Sequence, residues 1–237
     1  MPSHDPKIAT AARLQTLCKE YSELFQGVIF IGGIAVHQHL LAAGSGQDRP
    51  QNEFTHDGDF LISRADFGDL RDIEDISMTT RLSKHQFSKD GFEFDVYVEN
   101  ANALVIPYGN AAAFSEVKNG IRVAALEHLL LLKAEAANDR KNSSKGGKDL
   151  RDLVRIVYAA RQAPLRNGLL EPYLTQDHAK TIAEVPRQTF LELTGNNAQA
   201  ASRLQASYER EIALPCILSS PLPDGVRRRL ETHAPTR

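Results

Sequence analysis

The 237-residue sequence has no tryptophan, only two cysteines and only two methionines. Cys18 and Cys216 share no metal-ligand spacing, which excludes a cysteine metal site, and both are expected to be reduced and buried. No apolar run approaches the roughly 18–20 residues that cross a bilayer, so no membrane partner is expected. The opening MPSHDPKIAT has neither the basic n-region nor the apolar h-region of a signal peptide, and the expected location is cytoplasmic. Internal repeats are absent too. A strong excess of one charge is also missing: the formal net charge is −2.

What remains is an ordinary globular composition, 42% apolar and 24% charged, on a chain long enough for one sizeable domain or two small ones. The small net charge hides an asymmetry. Residues 1–100 carry 9 Lys/Arg against 16 Asp/Glu, whereas residues 133–166 carry 9 basic against 4 acidic. An acidic half joined to a basic helical segment suits an enzyme that holds cations on one side and a polyanion on the other; a helix pair with a solvated charged face has the same signature.

Leu14, Leu17, Tyr21, Leu24 and Phe25 recur at helical spacing and predict an amphipathic helix over 8–25, with Gly27 as its C-cap. Val28–Ile31 reads as a buried strand, and Gly32-Gly33 turns it into a helix over 34–43. A flexible loop follows over 44–53, then a strand over 57–63 and a short helix marked by Phe67, Leu70 and Ile73. Lys89-Asp90-Gly91 separates a strand over 79–87 from one over 92–98, and Asn119-Gly120 separates Val117 from Ile121–Val123; both are tight-turn signals. From Ala124 the pattern is helical, with RKNSSKGGK (140–148) as a polar loop between two long helices and two or three further helices over 175–212. The prediction is an α+β fold: a mixed sheet flanked by helices over 1–123, a helical domain over 124–215, and a flexible tail over 216–237.

Three elements carry chemistry. In Asp57-Gly58-Asp59 the two aspartates lie two apart at the head of a strand, so both carboxylates share one face. Adjacent carboxylates repel unless a cation sits between them, and Mg²⁺ prefers such oxygen ligands; Gly58 leaves room for substrate to approach. In Phe92–Val98 the apolar residues share one face, while Glu93, Asp95 and Tyr97 share the other. Asp95 thus offers a third carboxylate for a two-metal phosphoryl-transfer site, or stands on the polar side of a half-exposed strand. Gly32-Gly33, at a helix N-terminus, leaves backbone N–H groups open to phosphate, or simply makes a tight turn. His37 and His39 do not face one ligand, His56 abuts the Asp pair, and Arg227-Arg228-Arg229 is expected to be solvated.

The ordered set FIGGIAVHQHL (30–40), THDGDFLIS (55–63) and FEFDVYV (92–98) resembles the DNA-polymerase-β-like nucleotidyltransferase superfamily. LEHLLLLKAEAANDR (126–140) with KDLRDLVRIV (148–157) resembles its abortive-infection and toxin-type members. The resemblance implies Mg²⁺ (or Mn²⁺) held by Asp57, Asp59 and Asp95, and NTP phosphates contacted by Gly32, Gly33 and Lys133. It also implies that Asp149 or Asp152 orients the triphosphate or acts as base, with an interhelical ion pair to Lys133 as the structural alternative. It further implies transfer of an NMP to an RNA (tRNA) end or a protein hydroxyl, in a toxin–antitoxin or phage-defence setting with an antitoxin protein as partner. The basic segment 140–166 tilts the acceptor toward RNA. Ile34 stands where the family has Ser or Thr, and Glu53 where toxin-type members often have Arg. The same fold as a catalytically inactive interaction module is the alternative, and a metal-dependent nuclease is disfavoured because no E-x-K lysine follows the strand carboxylates.

Overall fold

The computed structural model describes residues 6–46, 48–53, 55, 57–67, 79–83, 85–141 and 143–234. These fall into two compact units, one of residues 1–38 with 53–125 and one of residues 39–52 with 126–237. The class is α+β, a mixed sheet with helices and a helical part, as the sequence predicts.

In the first unit the apolar spacing forms α1 (Pro6–Leu24), followed by β1 (Ile29–Ile31) and the start of α2 (Gly32–Ala42). Then come β2 (Asp57–Ile62), β3 (Thr80–Ser83), β4 (Gln86–Lys89), β5 (Phe92–Val98), α3 (Tyr108–Ala113), β6 (Glu116–Lys118) and β7 (Ile121–Val123). The described strands form one sheet in the order β3-β4-β5-β2-β1-β7-β6. β2 pairs parallel with β5 and antiparallel with β1, and β1 pairs parallel with β7. Asp90 and Gly91 (φ 56° and 83°), like Asn119 and Gly120 (φ 51° and 78°), take the left-handed conformations that tight hairpins require.

Period-2 alternation puts Phe60 and Ile62 of β2 and Phe92, Phe94, Val96 and Val98 of β5 on one buried face. Tyr21 of α1 packs edge-on to Phe94 (centroids 5.0 Å apart), and Phe87 stacks on Phe94 at 5.1 Å. Each such ring removed from water contributes roughly 1.5–3 kcal/mol, so this aromatic cluster anchors the sheet that carries the polar face opposite.

Local differences from the predicted elements have simple causes. The strand over 79–87 is two strands, β3 and β4, because the chain reverses where no glycine or proline marks a turn. Gly27 is not a left-handed cap: α1 has already ended, and a Cβ there would lie 2.3 Å from Asp66 Oδ2 and 2.8 Å from the Tyr108 hydroxyl, which donates to the Gly27 carbonyl. Leu70 and Ile73, which marked a short helix, lie outside the described residues.

The second unit contains α4 (Leu126–Asp139), α5 (Ser144–Ala159), α6 (Asn167–Leu170), α7 (Gln176–Ala183), α8 (Arg187–Leu193), α9 (Ala198–Glu211), α10 (Pro215–Leu218) and α11 (Asp224–Glu231). Its core is built from Leu129, Leu130, Leu153, Ile156, Phe190, Leu204 and Tyr208, all at most 1–3% exposed. The polar stretch 140–148 is only in part a loop: α5 starts at Ser144 because Ser143 caps it, its hydroxyl accepting from the Gly146 N–H. Nor are the described residues 216–234 a frayed tail. Leu230 is fully buried, Arg229 pairs with Glu209 at 2.8 Å, and Arg227 donates to the Leu218 and Ser220 carbonyls, which holds α10 and α11 in place. No helix among the described residues is long and apolar enough to cross a membrane.

Candidate active site on the sheet and the buried cluster among the helices

Asp57 and Asp59 head β2, and β5 brings Asp95 alongside. In the parallel register Asp57 lies opposite Glu93 and Asp59 opposite Asp95, so four carboxylates occupy two adjacent rows of one face. Neighbouring strands are about 4.8 Å apart, and two like charges near 4 Å repel by about 1 kcal/mol even in water. A divalent cation is one of the partners that would offset that repulsion. Asp57 is exposed, while Asp59 and Asp95 are half-buried, so the rows are open to solvent at the strand head. Gln86 of β4 lies opposite Asp95 and extends the polar face.

The glycine pair is built against these acids. β1 sets Ile31 beside Asp59, and α2 begins at the next residue. Gly32 takes φ +64°, and a Cβ there would sit 2.0 Å from Asp59 Oδ2. Only glycine meets both demands, left-handed backbone and direct contact with a carboxylate. Gly33 is closed in by Thr55, whose Cβ would lie 3.0 Å from an added Cβ. Thr55 is a site residue that the sequence showed only as a motif letter: its buried hydroxyl donates to the Asp57 carbonyl (3.2 Å) and accepts from the Asp57 N–H (3.4 Å). It therefore positions the start of β2 against the N-terminus of α2.

Gly58 does something other than admit substrate. It points to the opposite face, where a Cβ would meet the Phe94 ring at 2.6 Å, so its bareness serves core packing. Ile34, directly after the glycine pair, is 2% exposed and belongs to the core. His39 is buried and His37 half-buried on α2, while His56 lies outside the described residues. Among the described residues no three His, Cys, Asp or Glu side chains form a ready metal cage. The three aspartates share a face and adjacent registers, with Asp59 level with Asp95 and Asp57 two residues before Asp59.

Lys133, Asp149 and Asp152 lie together in the helical unit. Lys133 Nζ stands 2.9 Å from Asp149 Oδ1 and 2.8 Å from Asp152 Oδ2. Arg155 donates to Asp152 Oδ1 (2.9 Å) and to the Gln51 carbonyl (3.0 Å), and Arg140 reaches Asp149 Oδ2 at 3.3 Å. Lys133 is 9% exposed and both aspartates less than 4%, so the interhelical ion pair is formed, with both acids rather than one. The aspartates face inward with Leu153 and Ile156. Burial by itself would lower the Lys133 pKa, but the Asp152 and Asp149 charges outweigh it and raise the value. Sequence spacing alone does not reveal Arg155 and Gln51, because Gln51 comes from the 39–52 segment, about a hundred residues upstream.

No family model matches the chain, and no curated protein matches it. Among solved structures the chain is similar to the crystal structure of an antigenic nucleotidyltransferase-like protein from Paracoccidioides brasiliensis. The two are 15% identical, the match covers 86% of this chain and 93% of that one, and the TM-score is 0.43.

Proposed function

We propose that this protein is a divalent-metal-dependent nucleotidyltransferase that moves an NMP from an NTP to an acceptor hydroxyl. One observation carries the reading: Gly32, at the start of α2, touches the carboxylate of Asp59, which stands in register with Asp95 and two residues from Asp57. A phosphate-accepting helix N-terminus is thereby built onto a row of carboxylates.

Asp57, Asp59 and Asp95 would hold Mg²⁺ (or Mn²⁺), which supplies charge neutralisation at the phosphate oxygens. Gly32 and Gly33 present the bare start of α2 to the triphosphate. Asp95 takes the proton of the acceptor hydroxyl as its oxygen bonds to the α-phosphorus, and the bond from the α-phosphorus to the bridging oxygen breaks to release pyrophosphate. The acceptor is an RNA end or a protein hydroxyl, and an antitoxin partner belongs to the same proposal.

The test is incubation with each α-³²P-labelled NTP, Mg²⁺ or Mn²⁺, total RNA and cell lysate, beside an Asp57→Asn/Asp59→Asn variant. Label on RNA or protein that falls at least about a hundredfold in the variant supports the reading and identifies the acceptor class. No transfer from any NTP, and no nucleotide-induced rise in melting temperature, leaves an inactive interaction scaffold instead.

A further inference from the structure

The sheet that carries the carboxylates also sets where an acceptor can stand. Strand order places Gly32 and Gly33, just past the end of β1, on one side of Asp59 and Asp95, and β4 and β3 on the other. With the triphosphate at the glycines, the acceptor reaches Asp95 from the β4–β3 side. The register there is polar throughout. Glu93 lies opposite Ser88, which lies opposite Thr80, and Asp95 lies opposite Gln86, which lies opposite Ser83. Glu93, Thr80 and Ser83 are exposed, while Gln86 and Ser88 are half-buried. The face is therefore open to solvent as far as β3, the edge of the described sheet.

These two rows hold four carboxylates and no cation. Glu93 stands opposite Asp57 and two residues before Asp95, roughly 6–7 Å along the strand. It is exposed and has no ion-pair partner among the described residues, and it lies outside the trio that would hold Mg²⁺. A magnesium-bound triphosphate is itself still an anion, so the approach to Asp95 stays negative with the site filled. Such a field repels a nucleic-acid backbone and draws in cations.

The basic segment that tilts the sequence toward RNA supplies a second, independent observation, because most of its charge is engaged within the helical unit. Lys133 and Arg140 pair with Asp149, Arg151 with Glu192, Arg155 with Asp152, Arg161 with Asp48 and Arg166 with Glu127. Six of the nine lysines and arginines of 133–166 are thus spoken for by carboxylates of the same unit, and the segment offers a polyanion far less than its composition suggests.

We infer that the acceptor is a polypeptide, presenting a Ser, Thr or Tyr hydroxyl beside lysine or arginine, laid on the β5–β4–β3 face with Glu93 receiving the flanking cation. The hydroxyl oxygen bonds to the α-phosphorus, its proton passes to Asp95, and pyrophosphate leaves, so the product is a nucleotidylated protein. Glu93 selects the acceptor and takes no part in the bond change. The inference rests on the nucleotidyl-transfer reading.

The test offers the full chain a mixture of the four α-³²P-labelled NTPs with Mg²⁺ and two acceptor pools, RNA freed of protein and lysate protein freed of RNA. Two short peptides follow, alike except that arginines or glutamates flank a Ser-Tyr acceptor pair. Label is expected in the protein pool, and kcat/KM for the arginine peptide should exceed that for the glutamate peptide by about tenfold or more. Glu93→Gln should narrow that ratio by about two- to fivefold, the scale of one exposed ion pair, through the peptide KM more than kcat. Glu93→Lys should narrow it further, and both variants should melt close to the parent because Glu93 is exposed. Label on RNA and not on protein overturns this inference while nucleotidyl transfer stands. Equal rates on the two peptides, or a ratio that neither Glu93 variant moves, overturns it as well. No transfer to either pool overturns both readings.

Discussion

The protein holds two groups of aspartates in opposite circumstances. Asp57, Asp59 and Asp95 stand on strands, at the solvent-open head of a sheet, with Asp57 exposed. Asp149 and Asp152 stand on a helix, 2% and 3% exposed, and each shares its two oxygens between Lys133 and an arginine. The residue type is the same, and the surroundings decide what it does. A carboxylate buried with paired cations is an internal part of the fold. A carboxylate in a row open to water can take a cation brought by a ligand. Sequence motifs weigh the two groups alike, whereas burial separates them.

Substitution should magnify this contrast. Asp152→Asn leaves Lys133 and Arg155 buried with one carboxylate fewer, and about 3–5 kcal/mol of stability should disappear in a denaturant melt. Asp59→Asn should cost less than about 1 kcal/mol by the same measure while removing nucleotide transfer. Equal losses from the two changes would erase the distinction.

Gly32→Ala should lie between them. Left-handed backbone costs a non-glycine residue about 1–2 kcal/mol, and the new methyl must also displace the Asp59 carboxylate, 2.0 Å from its ideal position. A loss of about 2–3 kcal/mol is expected, together with loss of transfer that Gly33→Ala, facing the Thr55 side chain instead, reproduces only in part.

Acid should act on the helical unit through Glu127 and His128. His128 is buried beside Glu127, Arg166 and Tyr173; burial lowers its pKa below the ordinary 6.5, and the Glu127 charge only partly opposes this. The unfolded chain then takes up the proton first, so the contribution of His128 is complete above pH 6.5 and declines as pH falls below it. For Glu127 burial raises the pKa, but its bidentate contact with Arg166 outweighs that and brings it below 4.5, so a further loss begins as pH falls through 4.5. Stability measured by urea titration should drop in those two windows. His128→Phe should flatten the upper one and leave the lower unchanged.

The smallest expected effect is at Thr55. Thr55→Val keeps the shape but removes both hydrogen bonds to Asp57, for about 1 kcal/mol of stability. Its more informative readout is a rise in the metal concentration needed for half-maximal transfer, which a purely structural threonine would not cause. Thr55→Ser should restore it.

Much of this was determined by the sequence alone, wherever the cause is local. Asp90-Gly91 and Asn119-Gly120 specify their hairpins because few other residues tolerate positive φ. The two-residue period places Asp57 with Asp59, and Glu93 with Asp95, on one face of a strand whatever it pairs with. Leucine spacing marks α4 and α5. Tertiary structure decided the rest, because the partners are distant in the chain. That Asp59 is level with Asp95 rather than one row away depends on how β2 and β5 pair. That Gly58 serves Phe94 depends on the same pairing, and that Gly32 serves Asp59 depends on how β1 meets β2. Whether Lys133 meets solvent or two carboxylates is set by the packing of α4 on α5. Sequence spacing states which side chains share a face; only pairing and burial decide what that face meets.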